Sequence, residues 1–395
     1  MIETQTIEAD AFSSAIFELG EEHQMFREAV RGFLAGSYAP EVRRRAIASE
    51  SGRRPEFWQS LARDIGLLGV GFDEELGGAG GGALEHAIVM EAFGEALVVE
   101  PYIPTVVVAG SLLRRSSAAW AANVSEDIIA GRALIGNAFA EAHARFDPAD
   151  LAVTAGRTGD SYVLEGRKAV VYGAPWATHF LVTARTSGAQ REREGVSLFL
   201  VDAEHPAIRR HDYATIDGGR ASDLTFERAS VPASALVFDE GAALPFVEQA
   251  LDEATAAVCA ESVGVMARML RETVAYLRER RQFGKALAEF QVLQHRMADM
   301  FVALEQSIAI TFFAAAAVAG EPPARAAGVS AAKAFVGRSL RMIAQNAVQM
   351  HGGMGVTEEL EIGQLFKRAT VAERAYGSIE DHLRRYASLG YREFV

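Results

Sequence analysis

The 395-residue chain predicts a multidomain α+β protein, ordered as helices, then a sheet, then a bundle of long helices. Three observations carry this reading. The apolar period is three to four residues from Phe17 to about Leu113, collapses into short β-rich runs between about Ala133 and Val237, and becomes helical again from about Ala242 onward. At roughly 150 residues per domain the length predicts two or three domains, placed here at 17–130, 131–240 and 241–395.

In the first block, Met25, Phe26, Val30, Phe33 and Leu34 form one apolar stripe, and Phe57, Trp58, Leu61 and Ile65 form another. The middle block reads as strands over Leu151–Arg157, Tyr162–Leu164, Ala169–Tyr172, Phe180–Ala184, Val196–Val201 and Leu224–Phe226, punctuated by turn residues such as Gly159 and Asp160. In the third block Leu293, Met297, Phe301, Leu304 and Ile308 repeat at helical spacing, and Gly320–Pro323 marks the one clear loop. Helices of that length pack best as an antiparallel bundle. Strands and helices do not alternate, which disfavours a Rossmann or TIM layout.

Half of the residues are apolar and the net charge is -13, with no basic block, which argues against nucleic acid and anionic membrane as partners. The first twelve residues lack the basic region of a leader peptide, so a cytoplasmic protein is expected. Ile308–Ala319, the most apolar stretch, is about half of the roughly 20 residues a span requires and predicts a buried helix rather than membrane insertion. The single cysteine, Cys259, sits among Ala256, Ala257 and Val258 and reads as an inert core thiol.

Several clusters could carry chemistry. Gly77, Gly78, Gly80, Gly81 and Gly82 lack the Lys-Ser/Thr of a phosphate loop and read as a structural turn. Arg280, Gln282 and Phe283 are grouped at a bend between a helix ending near Phe283–Gly284 and another starting at about Glu289; a guanidinium, an amide and a ring can hold a pyrophosphate and pack against an aromatic base. The competing reading is an ordinary charged helix end. Downstream, Gln349 precedes Gly352 and Gly353 by one helical turn, and such glycines let backbone approach a ligand. His351 has no Cys or second His at metal spacing and reads as a packing residue, so no metal is expected. No G-x-S-x-G nucleophile is present.

In combination, these segments resemble the acyl-CoA dehydrogenase family across nearly the whole chain. The matches are EEHQMFREAVRGFLA (21–35), FWQSLARDIGLLGVGFDEELGGAG (57–80), YVLEGRKAVVYG (162–173), DLTFERASVPA (223–233), RRQFG (280–284) and QMHGGMG (349–355). The resemblance implies an α-helical domain, a β-barrel-like domain and a four-helix bundle, assembled as a homo- or hetero-tetramer that binds FAD across subunits. It also implies α,β-dehydrogenation of an acyl-CoA thioester: a carboxylate takes the α-proton, a hydride passes to the flavin, and an electron-transfer flavoprotein accepts the electrons. Arg280, Gln282, Phe283, Gln349, Gly352 and Gly353 fall where members hold the ADP half of a neighbouring subunit's FAD.

The departures fall at the other end of the cofactor. Gly377 stands where the usual catalytic Glu follows a Tyr. The alternative base position of some members, counted back from Gly264, falls on Ala254, with Glu253 one residue and about 100° off and Thr255 where an acyl-CoA-binding Arg is common. Ala140-Glu141-Ala142 replaces Thr-Glu-Pro, and Val170-Val171-Tyr172 replaces Trp-Ile-Thr, under the flavin ring. The expectation is a subunit similar to the smaller members of bacterial α2β2 acyl-CoA dehydrogenases, whose partner supplies ring site and base. Rivals are a self-sufficient homotetramer using Glu253 or Glu261 as base, a non-catalytic scaffold of the same fold, and a flavin monooxygenase or nitroalkane oxidase.

Overall fold

A computed structural model describes residues 19–144, 146–357 and 360–390. Residues 1–12 and Phe17, read above, lie outside the described residues. The N-terminal region is helical: α1 (Glu21–Ser37), α2 (Pro40–Ala48), α3 (Pro55–Arg63), α4 (Ala83–Ala96), a π-helical turn (Ile103–Ala109) running into α5 (Gly110–Leu113), and α6 (Ala121–Ile129). Prolines at the first position of α2 and α3 fit there because that N–H has no partner inside a helix. Val30 and Leu34 bury the first apolar stripe, but its proposed member Met25 is 71% exposed, since α1 docks only through its later turns. The glycine-rich segment is a structural turn: Gly80 folds back on Gly71 and Phe72, and a Cβ on Gly78 would lie 2.2 Å from the Phe72 carbonyl oxygen.

Seven strands form the middle sheet: β1 (Ile135–Ala138), β2 (Thr154–Thr158), β3 (Ser161–Tyr172), β4 (His179–Arg185), β5 (Val196–Asp202), β6 (Ile208–Ala214) and β7 (Arg220–Pro232). The order is β1-β4-β2-β3-β7-β6, with β5 on β4, and only the β1–β4 and β2–β4 pairings are parallel. This curled half-barrel has its own apolar core, which includes Leu164, Phe180, Phe199 and Phe226. Two runs read separately from sequence are one strand, β3, whose register shifts at Leu164/Gly166 and again at Lys168/Val171 hide its continuity. Strands β1 and β6 escaped the reading because one is four residues long and the other, IRRHDYA, is mostly exposed and polar.

The C-terminal region holds α7 (Leu244–Glu279), α8 (Gln291–Ala317), α9 (Pro322–His351), α10 (Ile362–Arg374) and α11 (Ile379–Ser388). Helix α7 crosses α4 at very close range, because a Cβ on Gly264 would lie 1.9 Å from the Glu91 carbonyl oxygen and one on Gly94 would lie 2.0 Å from that of Glu261. One apolar core runs through the N-terminal helices and the bundle, so these two regions bury a common interior. Two expectations fail here. Helix α7 ends at Glu279, not near Phe283, because 281–286 form a hairpin, β8 (Arg281–Gln282) and β9 (Lys285–Ala286). The apolar stretch around Ile308 is not buried throughout: α8 is 27 residues long, is long and apolar enough to span a membrane, and has only 33% of its most apolar window buried. One face packs on α7 and α9, while Val292, Val302 and Phe313 are exposed on the rest of the helix.

Candidate functional site

Two places converge functional side chains, one at the tip of the bundle and one between the domains. At the tip, α7 and α9 end side by side. The Tyr276 and His351 rings stack with centroids 4.4 Å apart, and the Tyr276 hydroxyl donates to the His351 carbonyl at 3.3 Å. His351 is therefore a buried packing group that joins the Arg280–Phe283 and Gln349–Gly353 clusters. The hairpin turns through Phe283 (φ 55°) and Gly284 (φ 83°), the two left-handed residues of a two-residue type I′ turn. Left-handed backbone costs an L-residue about 1–2 kcal/mol, yet Phe283 adopts it and leaves its ring 89% exposed.

The polar groups beside it are equally uncommitted. Among the described residues, the Arg280, Gln282 and Gln349 side chains make no hydrogen bond or ion pair. Gly352 terminates α9 at φ 60°, ψ −138°, a region open essentially only to glycine, and a Cβ on Gly352 or Gly353 would meet nothing within 4 Å. Open space at these glycines, with unpaired donors on both sides, suits close approach of an external anionic ligand.

Between the domains lies a cavity of about 100 Å³, bordered by Tyr172, Trp176, Asp217, Glu261, Arg368 and Tyr376. Burial raises the pKa of the Tyr172 and Tyr376 hydroxyls, so both remain neutral donors. Burial likewise raises the Glu261 carboxyl above its ordinary value, against the pull of Arg368. Arg368 donates to Asp217 Oδ2 at 2.7 Å and to the Val98 carbonyl; its Nε lies 3.2 Å from Glu261 Oε1, at an angle that makes this an ion contact rather than a hydrogen bond.

Glu253 does not join this cavity. It is 6% exposed and held by Arg114 at 2.7 Å and Arg115 at 2.9 Å. Burial pushes its pKa up, but the two guanidinium groups outweigh burial and hold the carboxyl below its ordinary value. A carboxylate so committed, one residue round the helix from the cavity face, is not placed to take a substrate proton, which corrects the sequence-based choice of base. Glu261, two turns further along α7, is the carboxylate of that helix that borders the cavity. Gly377 has φ 118°, and a Cβ there would lie 2.7 Å from His382 Nε2. Thr255 turns its hydroxyl back to the Leu251 carbonyl at 2.7 Å.

The flavin-ring segments are structural as well. Glu141 accepts from the Ala152 and Val153 amides and pairs with buried Lys168 at 2.8 Å, while Val170 sits on a β-bulge with φ 52°. Sequence reasoning missed Arg368, Asp217 and Tyr376. Arg368 lies three residues after Leu365 and four before Ala372, inside the apolar stripe of α10, and a charge in such a stripe was the available signal.

Family profiles described as acyl-CoA dehydrogenase N-terminal, middle and C-terminal domains match residues 20–132, 136–229 and 244–388. The chain belongs to the acyl-CoA dehydrogenase family. Its members are FAD-binding oxidoreductases acting on CH–CH groups. Acyl-CoA dehydrogenase IpdE2 of Mycolicibacterium smegmatis is 29% identical over 370 residues, covering 93% of this chain and 98% of the relative. Caffeyl-CoA reductase-Etf complex subunit CarC of Acetobacterium woodii is 28% identical over 358 residues, covering 89% and 93%. The solved ChsE4-ChsE5 complex of Mycobacterium tuberculosis contains a chain that superposes with a TM-score of 0.85 at 29% identity, covering 95% of this chain and 98% of that one.

For the family's cofactor, the two places give opposite answers. The bundle tip fits the phosphate-bearing half of FAD, because its donors are unpaired and its glycines face open space. The interdomain cavity does not fit the ring half, because about 100 Å³ is well below the roughly 300 Å³ at which small-molecule pockets begin.

Proposed function

We propose that this chain is one subunit of a mixed acyl-CoA dehydrogenase, contributing the grip on the ADP half of a FAD whose ring site and base lie in a related partner subunit. The observation that carries this reading is the contrast within one protomer: an exposed, uncommitted nucleotide grip at the bundle tip and a small, internally paired cleft where ring and substrate would lie. When bound, FAD supplies the redox chemistry that accepts hydride from the acyl β-carbon. Arg280 faces the pyrophosphate charge, Gln282 and Gln349 supply amide donors, Gly352 and Gly353 admit the phosphate backbone, and Phe283 packs against an aromatic face.

The partly exposed apolar face of α8 gives a second subunit a surface to cover, consistent with an α2β2 or homotetrameric assembly. Electrons leaving such a complex pass to an electron-transfer flavoprotein in this reading, and the complex works in the cytoplasm. The relative CarC is itself described as a subunit of a reductase-Etf complex, and ChsE4-ChsE5 as a complex of two chains.

The visible spectrum of the purified chain, alone and after co-expression with a second family member carrying the Glu, tests the proposal. Flavin absorbance only in the co-expressed pair, lost on Arg280→Ala, is expected; stoichiometric FAD and acyl-CoA turnover by the chain alone would overturn it. One observation favours a self-sufficient enzyme, namely that Glu261 borders the cavity with a raised pKa. Glu261→Gln separates the two, because only the self-sufficient reading predicts lost turnover with flavin retained.

A further inference from the structure

The β6–β7 hairpin turns through Thr215–Gly219, and a hairpin tip ordinarily projects into solvent. Here Asp217 at the tip is 1% exposed. Its carboxylate accepts from Arg368 at 2.7 Å, from the Gly219 amide at 3.3 Å and from the Thr215 hydroxyl, and its carbonyl accepts from Arg43 on α2 at 2.7 Å. Arg43 donates in addition to the Leu97 carbonyl at 2.9 Å. Arg368 on α10 reaches the neighbouring Val98 carbonyl and the Glu261 carboxylate on α7. Gly218, at φ 92°, is pressed so closely on α2 that a Cβ would lie 2.4 Å from Ile47 Cδ1.

One hairpin tip is thus bolted to α2, to the segment after α4 and to α10, and through Arg368 to α7, at the point where all three domains meet. Arg368 pairs with the Asp217 and Glu261 carboxylates, and Arg43 is satisfied by the Leu97 and Asp217 carbonyls, so both guanidinium groups find their partners within the chain. Burial would raise the Asp217 pKa, but Arg368, Thr215 and the Gly219 amide outweigh it and keep the carboxyl ionised. Arg43 and Arg368 are spent on the chain itself, so neither guanidinium is free to meet a ligand entering the cleft.

We propose that the Asp217 turn, locked by Arg43 and Arg368, is an internal plug that takes a ligand's place between the three domains and closes this chain's own cleft to flavin and acyl thioester. The plug rests on the family reading above and deepens it, because it names the contacts that join the three domains where the ring would otherwise bind. Arg368 is a positioning residue whose forked guanidinium meets three partners at once; a lysine reaches one.

Hydrogen exchange on the full chain, co-expressed with its partner where solubility requires it, tests the plug with two half-ligands as probes. Riboflavin reports the ring cleft, and ADP reports the bundle tip. In the native protein, amides of 212–221 are expected to exchange slowly and to be indifferent to riboflavin. Arg368→Leu, and independently the isosteric Asp217→Asn, should speed exchange of that segment at least tenfold while amides in β4 and β5 keep their protection. Protection of 212–221 that survives both substitutions would overturn the plug, as would riboflavin slowing exchange around Tyr172 and Tyr376 in the native chain. Failure of ADP to protect 276–286 would count against the proposed nucleotide grip and leave the plug standing.

Discussion

The bundle tip and the interdomain cleft carry comparable polar equipment and use it in opposite ways. At the tip, Arg280, Gln282 and Gln349 are unpaired and Phe283 is held in a costly conformation with its ring in solvent. In the cleft, Arg368 and Asp217 are buried among partners drawn from every domain. Groups that satisfy one another stabilise a fold, whereas groups left unsatisfied at a surface are free to bind something else. The difference teaches that one chain can leave one set of polar groups open at its surface and spend another on joining its own domains.

Acid gives the largest test of that division, because buried histidines back two residues that line the closed end, Tyr102 and Tyr376. His382, against the Tyr376 carbonyl and Ser330, and His86, against Tyr102, are both buried, and burial lowers each pKa to about 4. Their unfolded values near 6.5 mean that the unfolded chain binds more protons between about pH 6.5 and 4. The stability they contribute is therefore fully present above 6.5 and lost as pH falls toward 4, on the order of 3 kcal/mol for each. Denaturant midpoints between pH 7 and 4.5 should fall steeply, with protection around α11 and α4 lost before that of the middle sheet. A flat profile would contradict the neutral buried state of the closed end.

Restoring the missing carboxylate is the next largest perturbation. Gly377→Glu places a side chain at φ 118° with its Cβ 2.7 Å from His382 Nε2. Left-handed backbone costs about 1–2 kcal/mol and overpacking about 1–3 kcal/mol, so the variant should lose roughly 2–5 kcal/mol of stability. It should gain no acyl-CoA turnover, since the cavity beyond it is still only about 100 Å³. Turnover by this variant alone, measured with an artificial electron acceptor, would show that the cleft is open and break the comparison.

How much of this was legible in the sequence depends on whether a residue works locally. The turn at Phe283–Gly284 and the helix stop at Gly352 are built from neighbours in sequence, so their positions could be read within a few residues, even though the helix end was placed about four residues late. The fold class followed from periodicity, since α8 and α9 bury stripes that recur every three or four residues, whereas α7 is buried on every face from Asp252 to Met266. The cleft was illegible for the opposite reason: Arg368 meets Asp217 across 151 positions and Val98 across 270, and no local pattern encodes such a meeting. Counting residues along α7 put the candidate base near Ala254, but only three-dimensional packing revealed that Glu253 turns to Arg114 and Arg115.

At the open end the expected effect is on binding rather than folding. Hydrogen bonds to charged groups contribute about 1.5–3 kcal/mol each, and loss of Arg280 and Gln349 together should weaken FAD binding by the subunit pair by at least about 100-fold with little change in thermal midpoint. Fluorescence recovery on flavin release would measure it. Equal loss of stability and of binding would mean that the tip is structural after all, and the contrast with the cleft would narrow.

Glu253→Gln should have the smallest effect and sharpens the comparison most finely. The substitution keeps the side-chain shape and one carbonyl acceptor but removes the charge facing Arg114 and Arg115, whose side chains are 26% and 30% exposed and can recover water. Stability should fall by about 1–2 kcal/mol, and flavin content and turnover of the assembled pair should stay unchanged. The carboxylate spans two guanidinium groups of the N-terminal helices, so its charge fixes α7 against them and is unavailable to a substrate proton. Turnover lost at unchanged flavin content would require Glu253 to leave both arginines and cross to the cavity face of α7, a rotation of about 100° that the close crossing at Gly94 and Gly264 opposes.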